Sequence, residues 1–126
     1  MRAGPSNTLP IVLIVDDEIL TQTAAKEIVE AAGFVAIGVS NADEAVRVLE
    51  ARRDVRAVFT DVQMPGSMDG LGLARLVKSR WPGVALLVTS GRLHLHERDL
   101  PEGGKFVPKP YTASRIEATL RALLGD

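Results

Sequence analysis

Ile11-Val12-Leu13-Ile14-Val15 restricts the fold more than any other segment: five apolar residues in a row, four of them β-branched, with no polar position among them. β-Branched residues favour extended chain, and a strand with water on one face would alternate apolar with polar residues. Both faces of this one must therefore be covered, as for a strand inside a parallel sheet flanked by helices. The next stretch agrees. Glu18 to Ala32 turns helical, with Leu20, Ala24 and Ile28 expected on the buried side and Gly33 as the stop.

The alternation then repeats to Leu124. Phe34 to Val39 reads as a second strand. Asn41, with Glu44 three residues on, reads as the N-cap of a helix whose stripe is Ala45, Val48 and Leu49. Ala57-Val58-Phe59-Thr60 is a third strand, ending at Asp61. Beyond a Pro/Gly loop, Gly70, Leu73, Ala74, Val77 and Trp81 keep a helical period until Pro82-Gly83. Val84 to Val88 is a fourth strand and Lys105-Phe106-Val107 a short fifth. Ala113 to Leu124 closes the chain as a helix with Ile116, Leu120 and Leu123 inward. Strands separated by helix-length connections predict an α/β fold: a doubly wound parallel five-stranded sheet, helices on both faces and right-handed crossovers. At 126 residues the chain has room for one domain. Residues 1–8, polar with Gly4 and Pro5, read as a flexible lead-in and 9–126 as the domain.

Composition narrows the function by exclusion. A net charge of −1 gives no general attraction to nucleic acid or anionic lipid, so neither is expected as a partner. With no cysteine, disulfides and thiolate metal sites are ruled out, and a reducing cytoplasmic location is compatible. No apolar run is long enough to span a bilayer, and the first residues lack the apolar stretch of a signal peptide.

Ligands of such sheets bind beyond the carboxyl ends of the strands. Asp16 and Asp17 follow the first strand, Asp61 the third, Thr89 the fourth, and Lys109 lies just past the fifth. Clustered carboxylates repel unless a cation neutralises them, and all-oxygen ligation points to a hard ion, Mg²⁺ fitting best. Phosphoryl transfer needs a nucleophile and positive charge on the phosphoryl oxygens. A carboxylate can be that nucleophile; Lys109 and Mg²⁺ would supply the charge and the Thr89 hydroxyl a hydrogen bond. Singly, each residue has an ordinary reading: an Asp after a strand is commonly a cap or turn residue, and a lone lysine a solvated one. Capping does not explain an adjacent Asp pair, an Asp on another strand and Lys-Pro after a fifth together.

The segments IVLIVDDE, FTDVQMPGSMDG, LLVTSG and FVPKP, in this order and spacing, resemble the signature segments of bacterial two-component response-regulator receiver domains of the stand-alone, chemotaxis-regulator-like kind. The resemblance covers about Leu9 to Leu124. It implies a flavodoxin-like (βα)5 fold with strand order 2-1-3-4-5. It further implies Asp61 as phosphoacceptor, and Asp16, Asp17, Asp61 and the Gln63 backbone carbonyl around Mg²⁺. Lys109 would contact the phosphate, Thr89 and Phe106 would form the switch pair, and Lys109–Pro110 would be cis. The implied partners are a sensor histidine kinase or phosphotransfer protein and a downstream protein target, with a switching surface around residues 89–111. The main rival is a Mg²⁺-dependent phosphatase with an aspartate nucleophile. Such enzymes place Asp-x-Asp after the first strand and carry a cap, whereas this chain has Asp16-Asp17 and no cap-length segment. With nothing after Asp126, output is expected through protein contacts.

Three departures stand out. The loop Met64-Pro65-Gly66-Ser67-Met68-Asp69-Gly70 is one residue longer than the family's common form, a tolerated insertion or a reshaped rim. Phe106 replaces the usual Tyr, so ring position alone would carry the signal. The expected fourth helix is short or irregular: Leu93 to Leu100 supports about two turns before Pro101-Glu102-Gly103-Gly104. His94 and His96 within it lack a third ligand and read as surface residues rather than a metal site.

Overall fold

The computed structural model describes residues 9–125; the expected lead-in, residues 1–8, lies outside the described residues. Strand β1 (Ile11–Val15) leads to helix α1 (Ile19–Ala31), then β2 (Val35–Val39), α2 (Ala42–Ala51), β3 (Val55–Asp61), α3 (Gly70–Arg80) and β4 (Ala85–Ser90). A single 3-10 turn (Glu97–Asp99) precedes β5 (Lys105–Pro108), and α4 (Ala113–Leu124) closes the chain. The strands form one parallel sheet in the order β2-β1-β3-β4-β5, the expected flavodoxin-like arrangement.

The uninterrupted apolar run of β1 is buried on both sides: all five residues are. On one face Leu13, Val15, Val58, Leu86, Val88 and Phe106 pack against α2 and α3. On the other Val12, Ile14, Ala57, Phe59, Leu87 and Val107 pack against α1 and α4. β1 and β3 are therefore held centrally, with their carboxyl ends side by side. Asn41 caps α2 as expected, its Oδ1 accepting from Glu44 N at 2.9 Å while Glu44 Oε1 accepts from Ser40 N at 2.7 Å. Asp69 and Thr112 cap α3 and α4 in the same way.

The expected inward face of α1 is corrected. Leu20 is 83% exposed and Ala24 is exposed; the buried residues are Gln22, Ala25 and Val29, with Ile28 half-buried. Counting apolar positions misplaced the face because a polar residue with satisfied hydrogen bonds occupies it. The segment after β4 holds less helix than the expected two turns: one 3-10 turn, with Leu100 buried and Leu95 half-buried as its anchors. β5 is an edge strand, where Pro108 costs no ladder bond.

Candidate active site at the carboxyl ends of the strands

Asp61 is the last residue of β3, and register pairs it with Thr89 of β4. Lys109 arrives from beyond β5, where its backbone N–H donates to Ser90 O at 3.0 Å and its peptide to Pro110 is cis, as expected. Its Nζ donates to Asp61 Oδ2 at 2.9 Å and lies 3.8 Å from Asp16 Oδ2. Asp61, Asp16, Thr89 and Lys109 are thus brought together from four strand ends, while Asp17 is exposed at the mouth of the same cleft.

Electrostatics show a site short of positive charge. Burial, the largest cause, pushes the Asp16 carboxyl above the ordinary aspartate range, and the Asp61 and Asp17 charges push the same way against Glu18 N–H and Lys109. For Lys109 burial opposes the charge, but the hydrogen bond and charge of Asp61, helped by Asp16, outweigh it and hold the ammonium above the usual lysine value. Among the described residues no three His, Cys, Asp or Glu side chains come close enough to cage a metal alone. A divalent ion here needs backbone and water oxygens as well, which suits Mg²⁺ and its retained waters. The clearest opening is Thr89 Oγ1, the only buried side-chain polar atom without a hydrogen-bond partner among the described residues. A buried hydroxyl left alone costs about 1–3 kcal/mol, so a group that supplies an acceptor there is favoured.

Gly70 lets the site close. A Cβ on it would sit 2.0 Å from Asp61 O, and its N–H donates to Val62 O at 2.8 Å. Asp16 acts in part as the ordinary reading had it, its Oδ1 accepting from Glu18 N at 2.9 Å, but Asp61 caps no helix: its carboxylate accepts from Lys109 Nζ and, at 3.3 Å, from Gln63 N.

The Phe106 ring is buried, 7% exposed, while Thr89 Oγ1 has no partner. With no hydroxyl to hold it in water, burying the ring is favourable. His94 is exposed, its ring edge-on to Phe106 at 6.2 Å, and no metal cluster includes it or His96 among the described residues. The extra loop residue forms a tie: Ser67 Oγ donates to Asp43 Oδ1 of α2 at 2.7 Å, with Gly66 at φ +113°.

Sequence reasoning missed two supports. Buried Gln22 donates through Nε2 to Asp16 O (3.0 Å) and Val39 O (2.9 Å), tying the end of β1 to that of β2. Its spacing with Ala25 and Val29 was the available signal. Ser90 Oγ donates to Gln63 Oε1 at 3.0 Å and accepts from Arg92 N and Leu93 N; no pattern announced it.

Comparison with known proteins gives a consistent answer. Residues 12–121 match the family model described as response regulator receiver domain. The aerobic respiration control protein ArcA of Escherichia coli K12 is 30% identical over 119 residues, 92% of this chain and 49% of that protein. A putative response regulator NtrX-like protein of Rickettsia bellii is 37% identical over 81 residues, 64% of this chain and 17% of that protein. The chain thus spans half or less of the length of these curated relatives. Among solved structures, a response regulator receiver protein from Sinorhizobium medicae superposes with a TM-score of 0.86 at 23% identity, covering 93% of this chain and 95% of that one. One from Pseudomonas putida gives 0.80 at 25% identity, with coverage of 91% and 98%.

Proposed function

Because this chain belongs to the response regulator receiver domain family of two-component signalling, we propose that Asp61 is its phosphoacceptor and that Mg²⁺, held by Asp16, Asp17, Asp61 and the Gln63 carbonyl, is required. One observation carries the reading. The unpartnered Thr89 hydroxyl lies on the strand paired with Asp61, whose carboxylate also holds the Lys109 ammonium.

An Asp61 carboxylate oxygen attacks phosphorus, forming an O–P bond. The bond from phosphorus to the donor atom breaks, and its electron pair leaves with that atom, which takes up a proton when it is an imidazole nitrogen. Lys109 then stands beside the phosphoryl oxygens and Thr89 offers its O–H to one of them. When bound, Mg²⁺ supplies the charge neutralisation that the clustered carboxylates lack. The chain catalyses its own phosphorylation and dephosphorylation and turns over no separate substrate. None of the matched relatives supports the phosphatase alternative.

The donor is a sensor histidine kinase or a phosphotransfer protein, a reading that places the chain in the cytoplasm. Ile19 and Leu20, 66% and 83% exposed at the start of α1 next to Asp17 and Glu18, give such a partner apolar area to cover. Output passes to a protein target through residues 89–111, where Thr89 and Phe106 form the switch. No helix among the described residues is long and apolar enough to cross a membrane. Intact-mass spectrometry after incubation with a small phosphodonor and Mg²⁺ tests the proposal. One phosphate should be added, EDTA should prevent it, and Asp61→Asn protein should stay unlabelled. Equal labelling of Asp61→Asn refutes the assignment.

A further inference from the structure

A phosphodonor approaching Asp61 is an anion entering an acidic cleft. The cleft encloses about 580 Å³ and is lined by the carboxylates of Asp17, Glu18, Asp61 and Asp69. Lys109 is already committed to carboxylates, with Nζ 2.9 Å from Asp61 and 3.8 Å from Asp16. The one cationic side chain lining the cleft among the described residues is Arg92. Among the described residues its guanidinium makes no hydrogen bond or ion pair, although acidic side chains line the same cleft.

The root of Arg92, by contrast, is fixed. Its backbone N–H donates to Ser90 Oγ at 3.1 Å and that of Leu93 to the same oxygen at 2.9 Å. Ser90 is buried and its hydroxyl donates in turn to Gln63 Oε1 on the opposite lip. A held backbone with an unengaged guanidinium suits ligand capture: little chain entropy is lost on binding, and the planar fork pairs with two phosphoryl oxygens at once.

We infer that Arg92 is a phosphodonor-binding residue, whose guanidinium takes the anionic oxygens of the incoming phosphoryl group at the mouth of the Asp61 cleft. The inference rests on Asp61 being the phosphoacceptor. Arg92 neither attacks nor exchanges a proton, so its loss acts on donor binding and not on the plateau rate. As a charge at the rim it also acts on association, and that part is screened by salt.

Initial rates of labelling by acetyl phosphate, followed by intact mass at fixed Mg²⁺, test this in wild-type, Arg92→Gln and Arg92→Lys proteins. In Arg92→Gln the half-saturating donor concentration should rise about five- to tenfold with the plateau rate within about twofold. Arg92→Lys should recover part of the loss, and the gap should narrow at high salt. Mg²⁺ affinity, read by NMR titration without donor, should be unchanged or slightly tighter in Arg92→Gln, since a nearby positive charge is gone. Identical donor dependence in wild type and Arg92→Gln overturns the inference, as does a lower plateau at unchanged half-saturation. Weaker Mg²⁺ binding in Arg92→Gln assigns Arg92 a structural role and also overturns it. A wild-type protein that takes no label, or Asp61→Asn labelled as well as wild type, overturns the phosphoacceptor reading itself and is distinguishable from these outcomes.

Discussion

Gly70→Ala should damage the site through backbone geometry alone. The new Cβ would lie 2.0 Å from Asp61 O, 2.8 Å from Asp61 C and 2.9 Å from Val62 Cα. All three are main-chain atoms at or just past the strand end that carries Asp61, so no side chain can swing aside. Reaching an ordinary contact needs a separation of about 1.4 Å between the start of α3 and Asp61. Overpacking of this kind costs about 1–3 kcal/mol, and contact with backbone places it at the upper end. The Gly70 N–H bond to Val62 O at 2.8 Å stretches in the same movement, adding about 1 kcal/mol. A displacement near 1 Å at a reacting group is worth about a hundredfold in rate, so labelling of Asp61 should fall by about that factor in whatever fraction stays folded. Urea melts give the first quantity and single-turnover labelling the second. Gly83→Ala is the control, because nothing lies within 4 Å of its Cβ position; it should melt within about 0.5 kcal/mol of wild type. A Gly70→Ala protein as stable as that control and labelled at the wild-type rate would refute the reasoning.

Gln22→Ala removes the donor to Asp16 O and leaves a hole beside Gly38, so it should cost about 2–3 kcal/mol in urea melts and weaken Mg²⁺ binding in NMR titration. Asp16 has its folded pKa raised, so the folded protein keeps a proton that the unfolded chain has released. Its ionisation therefore lowers stability as pH rises past the ordinary aspartate range, and the cost persists at neutral pH. Metal-free Asp16→Asn protein, whose amide oxygen still accepts from Glu18 N, should be at least as stable as wild type at pH 7 and lose that advantage at pH 3.5; marked destabilisation at pH 7 would show a structural cap instead. Burial raises the Tyr111 phenol in the folded state, so stability should fall as pH climbs through the unfolded value near 10, and Tyr111→Phe should flatten that alkaline slope.

The fold was legible because the signals agreed across levels. The unbroken apolar run of Ile11–Val15 required cover on both faces, the capping residues marked the helix starts, and the helix-length connections fixed parallel strands. Asp16, Asp61, Thr89 and Lys109 were legible for a related reason: polar residues at consecutive strand ends of a parallel sheet have nowhere to go except one rim. The inward face of α1 was not legible, because hydrophobic counting cannot see that Gln22 is satisfied by two strand-end carbonyls. Nor was the burial of Phe106, which no periodicity in its short strand marks.

What stayed hidden is concentrated at the rim and has one physical character. Gly70 matters for an atom it lacks and Ser90 for three bonds made by one hydroxyl; neither leaves a pattern in sequence, because close approach and hydrogen-bond sharing depend on distances between segments far apart in the chain. The segment from Gly91 to Gly104 shows the consequence. It lacks a full helix, and its apolar anchors are Leu95 and Leu100. Its first residues are instead gathered by Ser90, whose neighbour Thr89 holds the one unsatisfied buried hydroxyl among the described residues. A ligand shifts an equilibrium only by its difference in affinity for the two states. On the proposed reading the Thr89 hydroxyl would supply that difference in the unmade hydrogen bond, about 1–3 kcal/mol. Because Thr89 and Ser90 are consecutive in β4, a pull on the first displaces the anchor of the second. The loosely held 91–104 segment can follow at small cost, since it has so little helix to break. Ser90→Ala should therefore uncouple the two ends. Asp61 would still accept phosphate, while the hydrogen-exchange protection that activation adds across residues 92–104 would be lost; protection gained as in wild type would place the coupling elsewhere.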